Sequence, residues 1–177
     1  MSFFIETARL ILRDIREEDA AAFFAMDSDP AVHTFLGNQP AQSIEQTQEA
    51  IASLLRQYDL YGIGRWATIE KETGEFIGWS GLKYITETEN GYCNYHDVGY
   101  RFSPKFWGKG YATEATLAAL SYGFGNLQLH QIHAAAHAGN QASRRVLEKC
   151  GLVFVNQFYW KDILCDWFTI SRSAHLI

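Results

Sequence analysis

Apolar and polar residues alternate from Arg9 to Ile15 with the period of a half-buried strand, and a short helix follows from Glu17 to Met26, ended by Asp29-Pro30. Ile44, Ile51, Leu54 and Leu55 fall at helical spacing behind Ser43, a good N-cap, which predicts a second helix to about Tyr58. Trp66 to Glu70 and Phe76 to Ile85 read as strands paired around the turn Glu72-Thr73-Gly74-Glu75. Asn90-Gly91 interrupts the pattern before another strand, His96 to Phe102. Ala112 to Phe124 is an Ala-rich helix able to pack closely on a sheet, and Asn140 caps a further helix, Gln141 to Cys150, that stops at Gly151. Val153 to Trp160 and Ile163 to Ile170 close the chain as two strands joined by a turn at Lys161-Asp162.

His130 to His137 fits two periods. As a helix, favoured by Ala134-Ala135-Ala136, it places His130, His133 and His137 on one face like metal ligands. As a strand it turns His130 away from the other two.

The stretch from Val98 to Ala115 reads as a strand, a short glycine loop and the opening of a helix. Gly108 and Gly110 remove side chains that would keep an anion from the backbone, and the first turn of a helix offers unpaired N–H groups and the positive end of its dipole. A tight turn without ligand has the same local pattern. A P-loop would need glycine at Ser103 and Ser or Thr at Gly110, and a dinucleotide fingerprint would need Gly or Ala at Thr113 with an acid near Gln128 to Ile132, so neither matches.

The wider pattern resembles the GNAT acyltransferase superfamily, in its Rim-type branch. The resemblance rests on Val98-Gly99-Tyr100, Pro104, the run from Trp107 to Ala115, Asn140-Gln141-Ala142-Ser143 and the run from Leu147 to Leu152. It begins at Thr7-Ala8-Arg9-Leu10-Ile11-Leu12-Arg13 and extends to about Ile170. It implies an α/β fold of the α+β type: a mostly antiparallel twisted sheet of about seven strands flanked by about four helices, splayed between strands 4 and 5. His130 to His137 then becomes the fifth strand, with no metal expected.

Acetyl transfer to an amine requires a held acetyl-CoA, a polarised thioester and a neutral amine, since an alkyl ammonium with pKa near ~10 has no free lone pair. The resemblance assigns the pyrophosphate to the backbone of Trp107, Gly108, Lys109, Gly110, Tyr111 and Ala112, and the pantetheine to Tyr100, Arg101 and Phe102, mainly through their main chain. Gly99 suits a bulge there. Lys105 stands where the family usually has Gln or Arg. Asn140 is expected to contact the pantetheine besides capping its helix, and Ser143 to lie near the thioester. Leu147 occupies the place of a tyrosine that serves many relatives as general acid, so it reads as core, and a proton for sulfur falls to Ser143, water or another tyrosine. Asp97 is the candidate base, with Glu114 the weaker one, better explained as a helix-start structural group.

Composition narrows the setting. At 177 residues and 47% hydrophobic, the chain can bury a core as one domain, residues 1–177. A net charge of −5 argues against nucleic-acid or anionic-membrane partners and permits a cationic acceptor. Three spaced cysteines, Cys93, Cys150 and Cys165, indicate neither a disulfide framework nor a zinc motif. The apolar start, Met1 to Ile5, is too short for a leader before Glu6. A cytoplasmic monomer or homodimer is expected. It would acetylate a protein N-terminus or small-molecule amine, its acceptor pocket drawn from Asp27 to Gln39 and Phe158 to Trp167. The alternative is a CoA-binding sensor or scaffold without turnover.

Overall fold

The computed structural model describes residues 3–175; the Met1 end of the apolar opening lies outside them. Its strands are β1 (Phe4–Glu6), β2 (Leu10–Asp14), β3 (Trp66–Glu70), β4 (Phe76–Ile85), β5 (Tyr95–Phe102), β6 (Gln131–His137), β7 (Val153–Trp160) and β8 (Ile163–Ser171). The helices are α1 (Ala20–Asp27), α2 (Pro30–His33), α3 (Ile44–Tyr61), α4 (Tyr111–Gly125), α5 (Gln141–Lys149) and α6 (Arg172–His175). Eight strands therefore replace the seven expected. The extra one, β1, is three residues that pair with β2 at Phe4↔Arg13. The two extra helices span four residues each, below the length at which periodicity is readable.

The strands form one sheet in the order β1-β2-β3-β4-β5-β6-β8-β7, antiparallel at every junction except β5 with β6. Gly62 at φ +67 stops α3, and Ser43 Oγ accepts the Gln46 N–H at its start. The histidine segment is β6, paired with β8 from Gln131↔Ser171 to His137↔Cys165. No group of His, Cys, Asp or Glu suited to a metal ion occurs among the described residues. Within the same residues no helix is long and apolar enough to cross a membrane.

Two apolar layers hold helices to the sheet. Ala115, Ala119 and Leu120 of α4 join Leu82, Val98, Ile132 and Phe168 in one cluster. Phe23, Met26 and Ile51 of α1 and α3 join Ile15 and Ala67 in the other. Each large side chain so buried contributes about 1.5–3 kcal/mol relative to exposure, enough to fix the sheet on which the site is built.

Candidate active site

β5 and β6 share one pair, Asp97↔His133. Beyond it both strands continue in the same direction without pairing, Val98 to Phe102 on one side and Ala134 to His137 on the other. This is the splay anticipated between the fourth and fifth strands, shifted by one in number because β1 precedes them. It leaves the stretch from Gly99 to Arg101 without a strand partner on one edge while the other edge stays paired to β4.

β5 leads into the glycine loop. Gly108 and Gly110 have φ +74 and +82, a region that favours glycine, and a Cβ built at Gly108 would meet nothing within 4 Å. Gly110 is the N-cap of α4 and brings no side chain to the first-turn N–H groups, which keeps them available to an anion. Trp107 stands 51% exposed, its Nε1–H donating to the Phe102 carbonyl at 2.7 Å. Lys109 Nζ lies 5.1 Å from the Phe106 ring, and its carbonyl accepts from Arg9 Nη1 at 2.8 Å. Tyr111 packs in the core with its hydroxyl on Glu70, and Ala112 packs beside it. Lys105, at the departure from the family pattern, pairs with Glu75.

β6 leads into α5. Asn140 Oδ1 accepts the Ser143 N–H at 3.0 Å, the expected cap, and Leu147 is 2% exposed, the expected core position. The Tyr100 hydroxyl lies 2.9 Å from Ser143 Oγ and 3.1 Å from the Ser143 carbonyl oxygen. Burial pushes the Tyr100 phenol up, so it stays protonated as a donor. Tyr100, Asn140 and Ser143 are thus brought together where β5 and α5 meet. Arg101, expected to act through its main chain, also uses its side chain: Nη1 donates to both carboxylate oxygens of Asp27 at 2.9 and 3.0 Å. Phe102 is buried in the α4 layer.

Gly99 is not a bulge. The β4–β5 register runs unbroken from Gly78↔Phe102 to Ile85↔Tyr95. The missing side chain instead makes room for Arg65, whose guanidinium pairs with Asp97. Burial raises the Asp97 carboxyl above its ordinary value, and Arg65 opposes that shift. Glu114 has the opposite fate. It accepts from the Thr7 hydroxyl at 2.6 Å, the Arg9 N–H at 2.8 Å and Arg9 Nε at 2.7 Å. Burial works against its charge, but those bonds outweigh burial and hold the carboxyl below its usual range, which suits the structural reading over the base. Of the expected acceptor aromatics, Trp167 is fully buried, stacked with Tyr92 at 5.3 Å and met edge-on by Phe158 at 5.3 Å. Phe35, between α2 and α3, approaches the His137 ring at 5.1 Å.

A family model, the acetyltransferase (GNAT) domain, matches residues 9–153. The chain belongs to the GNAT acetyltransferase family. It is 35% identical over 147 residues to the uncharacterized N-acetyltransferase YoaA of Bacillus subtilis, covering 83% of this chain and 81% of that protein. The enzyme's fold is similar to that of a GNAT-family acetyltransferase from Bacillus anthracis, with TM-score 0.80 at 24% identity over 97% of this chain and 99% of the other. It is also similar to the ribosomal alpha-N-protein acetyltransferase RimL in complex with coenzyme A, with TM-score 0.78 at 15% identity over 96% and 98% of the two chains. That likeness is one of fold. Sequence reasoning missed Arg65, whose partner Asp97 lies 32 positions away, and, although Asp27 opens the expected acceptor connection, it missed that residue's pairing with Arg101, 74 positions on.

Proposed function

We propose that the enzyme moves the acetyl group of acetyl-CoA to a primary amine by direct attack on the thioester, within one cytoplasmic domain. The reading is carried by the fork between β5 and β6, bounded by the uncapped α4 start after one strand and the Ser143 end of α5 after the other. The α4 start suits a pyrophosphate, and the free β5 edge suits the amides of a pantetheine arm. RimL was solved with coenzyme A, which supports the same cofactor here.

In this reading the amine nitrogen attacks the acetyl carbon, the carbon–sulfur bond breaks, and the amine proton passes through water to Asp97. Ser143 supplies a proton to the departing thiolate, the Tyr100 phenol, 2.9 Å away, passes its own to the serine oxygen, and before the next turnover Asp97 releases its proton to solvent while solvent returns one to the phenol. Leu147 has no proton to give, so this pair stands in for the tyrosine of other relatives. The acceptor is a protein N-terminus or a small-molecule amine. It would enter beside the Asp97–His133 pair, between Phe35 and the Tyr92–Trp167 stack.

Thiol release from acetyl-CoA against a panel of amines and N-terminal peptides tests the reading, paired with calorimetry on Gly110→Val. We expect turnover on part of the panel, and affinity for acetyl-CoA lowered more than roughly tenfold in the folded variant, because a β-branched side chain both strains φ +82 and blocks the backbone. Unchanged affinity would remove the loop assignment. Tight binding without thiol release on any amine would favour the sensor reading.

A further inference from the structure

Arg65 immediately precedes β3, yet its guanidinium lies across β4 and β5 where two glycines, Gly81 and Gly99, face each other. Nη1 donates to the Gly81 carbonyl and, at 2.9 Å, to the Asp97 carbonyl; Nη2 donates to Asp97 Oδ2. A Cβ at Gly99 would stand 2.8 Å from Nη2 and 3.0 Å from Cζ, so a larger residue would force the guanidinium to shift from this place. The Trp79 ring packs on it, 5.4 Å from Cζ to centroid. Arg65 is 8% exposed and the Asp97 side chain 17%. Oδ1 of Asp97 has no hydrogen-bond partner among the described residues.

Burying a guanidinium costs more than burying an apolar side chain of similar volume, and such a pair contributes little net stability. Its position gives it another use. We propose that Arg65 is a positioning residue for acetyl transfer: it pins one oxygen of Asp97 at the vertex of the fork, leaves the other for the water that carries the amine proton, and sets its positive charge beside the carboxylate. This rests on the reading of Asp97 as base.

The groups facing Asp97 make the prediction definite. Arg65 contacts it; Lys83 on β4 adds a weaker positive influence and Glu89, in the β4–β5 connection, a negative one. The Tyr95 hydroxyl is committed to Glu89 at 2.8 Å. His133, across the fork, is kept neutral by burial. Removing the Arg65 charge leaves burial and Glu89 opposed by Lys83 alone, so the carboxyl must titrate at higher pH.

The test is the pH dependence of kcat/KM for one good acceptor in Arg65→Gln, Arg65→Lys, Gly99→Ala and Asp97→Asn, with acetyl-CoA affinity measured by calorimetry. In Arg65→Gln the acid limb should move alkaline by about one unit, a tenfold lower rate on that limb, with cofactor affinity within about twofold of wild type. Arg65→Lys keeps the charge without the planar fork and should shift less. Gly99→Ala keeps every charge and pushes the guanidinium away, so it carries the test if Arg65→Gln does not fold; the same alkaline direction is expected. A uniform loss of rate with an unmoved limb in these variants, while Asp97→Asn is slow, would overturn the positioning role alone. An Asp97→Asn profile that overlays wild type would remove the base reading, and the role of Arg65 with it.

Discussion

Arg9 with Glu114 and Arg65 with Asp97 are the same two chemical groups at two places on the sheet, and their surroundings give them opposite properties. Glu114 receives three donors spread over both oxygens at the start of α4, so the acid is pulled down and only one of its roughly four lone-pair sites stays open. Asp97 is equally exposed but receives Arg65 on one oxygen only, and there burial prevails over its partner and raises its acid above the ordinary aspartate value. A carboxylate with a raised pKa is the better proton acceptor. An arginine partner therefore does not by itself mark a carboxylate as structural; what matters is how many acceptor sites remain.

The strongest way to break this contrast is Asp97→Asn. Its kcat at neutral pH should fall ~10²–10⁴-fold, the usual worth of a general base, with acetyl-CoA affinity held. Raising the pH should restore part of the loss, because more acceptor then arrives neutral. A pH–rate profile equal to wild type would sink the contrast from the Asp97 side. Leu147→Ala comes next. Its side chain is 2% exposed beneath the helix that presents Ser143, so denaturant unfolding should show a loss of ~2–5 kcal/mol, with activity lost only as fold is lost. Native stability with impaired turnover would mean that this position retains a chemical role. Glu114→Gln should cost ~1–3 kcal/mol by setting an amide NH₂ against Arg9 Nε and removing the charge that holds it, and loosen the loop through the Arg9 bond to the Lys109 carbonyl. At saturating acetyl-CoA its kcat should stay near wild type; a hundredfold loss there would exchange the roles of the two carboxylates.

What could be read in sequence was local. The two glycines of the loop, the Asn140 cap, the buried Leu147 and the strand character of the histidine segment each follow from a handful of adjacent residues or from motifs of the family. β1 was missed because three residues carry no period, and its partner is recognisable only once β2 is placed. Gly99 was misread for a related reason. A glycine in a strand signals a close approach, but the approaching group, Arg65, belongs to a segment more than thirty residues earlier, and nothing in its neighbours Gly64 and Trp66 marks it. The grip of Thr7 and Arg9 on Glu114 spans more than a hundred residues. The aromatic tail was ambiguous because burial and pocket lining demand the same side chains; packing put Trp167 in the core and left Tyr159 70% exposed.

The smallest effect concerns the residue opposite Asp97. His133 is 3% exposed, its ring 4.6 Å from that of Tyr92 and 5.1 Å from Trp167, and its Nδ1 has no partner among the described residues. Burial pushes it down to about 4, from an ordinary value near ~6.5 in the unfolded chain. In the folded enzyme the imidazole is therefore neutral at pH 7 and stays so to about 4, whereas the unfolded chain takes up the proton as soon as pH falls below ~6.5. Acid thus favours unfolding through this group over that window, by on the order of 1–2 kcal/mol between pH 7 and pH 5. His96, also depressed by burial, acts in the same direction, so wild type alone cannot isolate the effect. The difference between wild type and His133→Phe can. Measured by denaturant unfolding at pH 7, 6 and 5, any stability advantage of wild type should shrink toward acid, or a deficit should grow, because the variant has no proton to take up. Parallel curves would mean that His133 takes up its proton in the folded enzyme over the same pH range as in the unfolded chain, and Asp97 would then gain a second cation across the fork as the pH falls.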